Sequence, residues 1–223
     1  MKLAHPLWES PICWKEGLIQ TLIIEDPITF RNMAIDLMAQ TEGLEGEYIL
    51  SDGEKILSFS KSAEIIRDLP ALDIREKRIL GKLHKQLAAW ATEEKYMDTA
   101  ALKTTICAYL QDLISLSPQT ISFDADFAVE SLFKLLNVRP EIDSDEFLER
   151  LLDYMSITCE FRGIDTFFIY HLRAWLTEEE LEQFAYECDL RKYHVLLIEN
   201  TPIEGKRWEH IKWIDKDICE ILV

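Results

Sequence analysis

Three carboxylates near the middle of the chain have the residue types and spacing of a metal site. Asp124, Asp126 and Glu130 occupy positions i, i+2 and i+6 in a loop that runs into a predicted helix. Hard cations such as Ca²⁺ prefer carboxylate oxygens, so the trio is a candidate calcium site. The segment lacks the glycine and the ligand spacing of an EF-hand loop, and Asp126 could instead cap the following helix.

A second candidate site is a group of positive charges in the predicted helix that begins near residue 74. Its members are Lys77, Arg78, Lys82 and Lys85. Positions 78, 82 and 85 recur at i, i+4 and i+7, so one helix face could present them to phosphates. The alternative is a solvated face that pairs with nearby acids.

The turn after the first predicted strand has the wrong chemistry for a nucleotide. The strand Leu18–Ile24 is followed by Glu25, Asp26 and Pro27, which place carboxylates where a phosphate would bind and remove one backbone donor. Neither GxxxxGK[ST] nor GxGxxG occurs in the sequence. We therefore expect no use of ATP or dinucleotides.

The sequence also lacks the motifs of common hydrolases. None of the five histidines lies in an HExxH motif, and no GxSxG occurs. His171 and His194 lie at the ends of two successive predicted strands, where we expect them to hydrogen-bond to the backbone. The five cysteines are scattered without CxxC spacing, which favours reduced, mostly buried thiols.

The formal charge of −17 restricts the possible partners. Nucleic-acid binding needs Lys and Arg in excess along the bound face. Three possibilities stay open: the 24 Lys and Arg gather on one surface, divalent cations neutralise part of the acidic set, or the protein binds no nucleic acid. The sequence starts without a secretory signal pattern and has no long apolar run, so we expect a cytoplasmic protein.

Local patterns predict where the elements that carry these residues lie. Asp26 and Pro27 predict the N-cap and first residue of a helix, and the Asp-Gly step at 52–53 predicts a hairpin turn. Helical spacing predicts helices over about 74–96, 99–114, 127–136 and 145–157. The two long helices in succession indicate a separate helical lobe.

The last third of the chain predicts a parallel sheet. Thr166–Leu172 and Tyr193–Ile198 are apolar runs typical of buried strands, and one helix separates them. Thr177 and Glu180 have the spacing of a capping box at the start of that helix. A strand, a helix and a strand form a right-handed crossover with parallel pairing.

Taken in order, these features resemble the Csn-two family of type II-A CRISPR-associated proteins. The best-matching stretches are SLFKLLNVRPEIDSDEFLERLLDYM (131–155) and RGIDTFFIYHLRAWLTEEELEQFAYECDLRKYHVLLIEN (162–200), followed by the strand-like IKWIDKDICEIL (211–222). The resemblance implies an α/β head with a degenerate RecA-like fold that lacks Walker motifs, and a helical leg. It places the head in residues 1–72 and 160–223 and the leg in residues 73–159.

The resemblance also implies a function. Members of the family are similar in forming non-enzymatic homotetrameric rings that bind ends of double-stranded DNA without sequence preference and support spacer acquisition beside the CRISPR integrase and the effector nuclease. Ca²⁺ stabilises the legs, and Asp124, Asp126 and Glu130 match the family's acidic loop by position. We assign DNA binding to Lys77, Arg78, Lys82 and Lys85.

Two other hypotheses remain at this stage. A divalent-metal-dependent nuclease would hold catalytic Mg²⁺ on Asp26, Asp124 and Asp126. A protein-only interaction module would agree best with the charge of −17. The length of the DNA after incubation separates the ring from the nuclease, because a ring leaves the duplex intact and a nuclease shortens it.

Overall fold

The computed structural model describes residues 1–142 and 144–221, so Asp143 and the end of the last strand-like stretch lie outside it. The chain forms two compact units, Met1–Asp73 with Ile142–Val223, and Ile74–Glu141. The helices are α1 (Pro27–Thr41), α2 (Phe59–Ser62), α3 (Lys77–Thr92), α4 (Tyr96–Ser115), α5 (Glu130–Leu135), α6 (Phe147–Arg162) and α7 (Glu178–Leu190). The strands are β1 (Lys2–Ala4), β2 (Ile12–Cys13), β3 (Ile19–Ile24), β4 (Ile49–Asp52), β5 (Lys55–Leu57), β6 (Ala63–Ile66), β7 (Thr166–Tyr170), β8 (His194–Glu199), β9 (Glu209–Ile214) and β10 (Glu220–Ile221).

The first unit is built on a sheet with the strand order β10-β9-β3-β8-β7-β6. Five of its strands run parallel, and only β10 is antiparallel to its neighbour. All six residues of β3 are buried, which is why this strand reads as a continuous apolar run rather than an alternating one. The predicted parallel pairing of β7 and β8 is confirmed, with Phe168 opposite Leu196.

Both faces of this sheet are covered. On one face, Leu22 and Ile24 of β3 join a core with Leu37 of α1 and with the small antiparallel sheet β2-β1-β4-β5. On the other face, Glu64 of β6 accepts hydrogen bonds from Tyr154 and Arg162 of α6, and α7 lies against β3. The predicted α/β class is confirmed.

Helix α6 belongs to the first unit. The resemblance implies that residues 142–159 belong to the helical leg, whereas the first compact unit resumes at Ile142. Leu151 and Met155 of α6 are fully buried, and Arg191 after α7 donates to the carbonyl of Leu152. The amphipathic pattern of α6 identifies a buried face but not which unit covers it.

The second unit consists of α3, α4 and α5. Helix α3 contacts both α4 and α5, and its residue Ile79 is fully buried. The Nε2 atom of His84 lies 2.8 Å from the carbonyl oxygen of Val138, which ties the segment after α5 to α3. No helix among the described residues is both long enough and apolar enough to cross a membrane.

Candidate nucleic-acid interface

Helix α3 holds all four predicted DNA-binding residues on its surface. Ile79 anchors the helix from its buried side, while Lys77, Arg78, Lys82 and Lys85 are all exposed. Arg78, Lys82 and Lys85 share one face, as their spacing requires. The helix contains no Asp or Glu between residues 77 and 92. Its exposed surface therefore carries positive charge without internal compensation.

These four cations have no acidic partner in the part of the chain that the structure describes. Lys77 and Arg78 also lie in the first turn of α3, where the helix dipole is positive and a cation is unfavourable by about 0.3–1 kcal/mol. Residues placed against the dipole do not stabilise the helix. An anionic ligand at this surface would remove the repulsion.

The charge of the chain is divided unequally between the units. Residues 74–141 contain nine Lys and Arg and nine Asp and Glu, so the second unit is formally neutral. The charge of −17 therefore falls entirely on the first unit. This distribution agrees best with the first of the three possibilities given above, segregation of the charges, because the basic helix α3 does not belong to the acidic unit.

The three predicted calcium ligands lie in and just after the loop that precedes α5. Asp124 and Asp126 are exposed, and Glu130 begins α5. Val129 occupies the N-cap position of α5, so the alternative that Asp126 caps this helix is wrong. The Oδ1 atom of Asp126 lies 3.5 Å from the ammonium of Lys103. No group of three His, Cys, Asp or Glu side chains arranged to hold a metal occurs among residues 1–142 and 144–221.

The carboxylates after β3 are engaged in the fold. Trp213 donates its indole N–H to Glu25 at 2.8 Å, and Asp26 accepts from the backbone N–H of Thr29 at 2.7 Å. This hydrogen bond, which caps α1, lowers the pKa of Asp26. The predicted N-cap is confirmed, and the turn presents carboxylates where a nucleotide-binding protein would present donors.

A buried polar network in the first unit was not predicted. Arg173 donates to Glu209, which also accepts from the Thr21 hydroxyl at 2.6 Å. Beside them Glu199 lies 3.5 Å from the Nδ1 atom of His171. Burial raises the pKa of Glu199, despite hydrogen bonding and nearby positive charge that oppose the rise. The carboxylates of Glu199 and Glu209 are thus both partnered, while the Nε atom of Arg173 is buried without a hydrogen-bond partner.

The five cysteines and the two strand-end histidines are the other side chains that could react. All five cysteines are free thiols, and burial raises the pKa of Cys188 far above its ordinary value. The Nδ1 atom of His194 lies 3.9 Å from Asp165, and the nearby imidazole is the main cause of the lowered pKa of Asp165. Both strand-end histidines thus face carboxylates rather than the expected backbone groups.

Helix α4 carries an apolar stripe that its own unit leaves exposed. Its members are Leu102, Tyr109 and Leu113 of the helix and Leu116 at its C-cap, with between 45% and 80% of each residue exposed. They recur at i, i+7, i+11 and i+14, so they lie along one side of the helix. None of the twenty residues of α4 is fully buried. A helix this apolar is typical of one that packs against a partner.

Comparison with known proteins agrees with this architecture. The family model described as CRISPR-associated protein (Cas_Csn2) matches residues 40–218. The crystal structure of Stu0660 of Streptococcus thermophilus is similar, with a TM-score of 0.57 and 10% sequence identity over 96% of this chain and 75% of that one. At this identity the likeness concerns the fold alone. No curated protein matches the chain.

The chain is therefore a CRISPR-associated protein. More narrowly, it belongs to the Csn2 family, because the match covers most of its length. The resemblance inferred from the sequence is confirmed at this level. Family membership implies a role in a CRISPR system.

Proposed function

We propose that this chain is a non-enzymatic, ring-forming protein that binds ends of double-stranded DNA and supports spacer acquisition. The observation that carries the proposal is the surface of α3, where Lys77, Arg78, Lys82 and Lys85 are exposed and unpaired among the described residues. Duplex DNA presents closely spaced phosphates that such a surface can contact without reading sequence.

The strand order of the first unit supports the proposal of a RecA-like head domain. The parallel order β9-β3-β8-β7-β6, with helices on both faces and β3 as an interior strand, agrees with a RecA-like arrangement. The loop after β3 carries Glu25, Asp26 and Pro27 instead of a phosphate-binding loop. We therefore propose a degenerate RecA-like head that retains the scaffold and has lost nucleotide binding.

Self-association brings together several basic surfaces, whereas a single acidic chain has only one. We propose a homotetramer in which the apolar stripe of α4 is covered by another subunit. Closed symmetry repeats each basic α3 surface around one opening, so modest positive patches add up at a channel. The ring would work in the cytoplasm beside the CRISPR integrase and the effector nuclease.

The nuclease hypothesis would use Asp26, Asp124 and Asp126. In the structure the first of these caps α1 and the last pairs with Lys103, so no observation favours it over the ring. The protein-only hypothesis would explain the overall charge but leaves the cations of α3 without a role.

Charge reversal of α3 tests the proposal. Replacing Lys77, Arg78, Lys82 and Lys85 by Glu should weaken binding to linear duplex at least about tenfold and reduce the salt dependence by about 0.9 per lost phosphate contact. The matched control reverses four exposed lysines of the first unit with the same change in net charge; these are Lys2, Lys15, Lys55 and Lys216. Equal effects of the two variants would refute the assignment to α3.

A further inference from the structure

The acidic loop of the second unit, residues 124–130, lies against a cation on the neighbouring helix. The side chain of Lys103, on α4, is 32% exposed, and its Nζ atom lies 3.5 Å from Oδ1 of Asp126. The same Nζ atom lies 5.4 Å from the centre of the Phe127 ring. One ammonium thus contacts two consecutive loop residues, one through charge and one through a cation–π interaction.

A neighbouring contact holds the same loop against the same side of α4. The Sγ atom of Cys107, one turn after Lys103, lies 3.5 Å from the carbonyl oxygen of Ala125. Residues 125–127 are therefore attached to α4 at three successive positions. The attachment uses a thiol, an ammonium and an aromatic ring, and it needs no bridging ion.

The donor set around this loop fits calcium poorly. Ca²⁺ takes six to eight oxygen ligands, whereas Asp126 projects fully into solvent and is matched with Lys103. Glu130 borders a groove that Lys85 and Lys103 also line. A divalent cation placed among these carboxylates would meet the positive charges of Lys85 and Lys103, which repel it.

We propose that Lys103 takes the place of calcium in this chain, so that the loop is attached to α4 independently of metal. This departs from what the resemblance implies for Asp124, Asp126 and Glu130. The proposal concerns the second unit by itself and does not depend on DNA binding. It predicts a protein whose stability and oligomeric mass are insensitive to chelators.

Melting temperature tests the proposal in two ways. For the unaltered protein, millimolar CaCl₂ and excess EGTA should give the same melting temperature and the same mass in solution. Replacing Lys103 by Met keeps an unbranched side chain and removes the charge that contacts Asp126 and Phe127. This variant should melt about 2–4 °C lower than the control Lys95→Met, which removes an exposed lysine paired with Asp98 at 3.4 Å on the same helix.

A double-mutant cycle identifies the partner. If Asp126 is the group that Lys103 neutralises, Lys103→Met should cost less in an Asp126→Asn background than in the unaltered protein. A rise in melting temperature or a change in mass on adding calcium to the unaltered protein would overturn the proposal. So would equal melting of Lys103→Met and Lys95→Met. Because no DNA is used, failure here leaves the proposed DNA binding untouched.

Discussion

The Nη2 atom of Arg173 lies 2.6 Å from Oε2 of Glu209, whose side chain is completely shielded from solvent. Arg173 follows β7 and Glu209 begins β9, so the pair joins distant parts of the sheet. The guanidinium also lies over the Trp208 ring, and the backbone N–H of Lys206 donates to Glu209. The pair thereby fixes residues 200–208, which connect β8 to β9.

Replacing Arg173 by Met should strongly destabilise the protein. The change leaves the carboxylate of Glu209 buried without its counter-charge, which costs about 3–5 kcal/mol. Urea unfolding measures the loss. The control Lys192→Met removes an exposed ion pair of 3.9 Å with Asp189 and should cost less than about 1 kcal/mol. Similar losses for both variants would show that the buried pair has no special role.

Glu199 should make stability depend on pH. Burial raises its pKa above the ordinary 4.5, against the hydrogen bond from the Arg173 backbone and the charges of His171 and Arg173. The folded state therefore binds this proton more tightly than the unfolded state. The contribution to stability is fully present below pH 4.5 and is lost as pH rises through the raised pKa.

The variant Glu199→Gln cannot titrate at this position, so it separates the contribution of Glu199 to the pH dependence of stability from that of other groups. Its stability relative to the unaltered protein should increase as pH rises from about 4.5 towards neutrality. Denaturant unfolding at several pH values measures the difference. Glu182→Gln, on the exposed face of α7, is the control for the loss of one negative charge. A difference for Glu199→Gln that does not change with pH would contradict this prediction.

The apolar stripe of α4 should control self-association. Replacing Tyr109 and Leu113 by Glu places charge on the surface that we assign to another subunit, so the mass in solution should fall. Analytical ultracentrifugation measures it. Thr104→Glu with Gln111→Glu is the control, because both residues are exposed on another side of α4. If both variants keep the unaltered mass, the stripe is not the interface.

Features set by neighbouring residues were predictable from the sequence. The capping box of α7 is present, with Thr177 and Glu180 accepting each other's backbone N–H. The hairpin turn at Gly53 has the positive φ of 57° that the Asp-Gly step favours. Asp26 caps α1 as expected. Each of these structures depends on contacts within a few residues, which sequence patterns record directly.

Features that depend on distant contacts were not predictable. Arg173 and Glu209 are 36 residues apart. The residues around Arg173 do not indicate Glu209 as its partner, and the residues around Glu209 do not indicate Arg173. The position of α6 within the first unit and the strand β6 follow from packing across the chain. At the candidate calcium site, helical spacing predicted the loop and the helix, but nothing in the spacing placed Lys103 against Asp126.

Binding to linear and relaxed circular duplex distinguishes an end-loading ring from the other two hypotheses. Equal masses of the two DNAs are offered at low salt, once with Mg²⁺ and once with a chelator, and complexes are resolved on a native gel. For an end-loading ring we expect linear DNA to be retarded at full length under both conditions, while circles are bound little. Equal binding of both forms, or none, would contradict an end-loading ring, and shortened DNA in Mg²⁺ would indicate a nuclease instead.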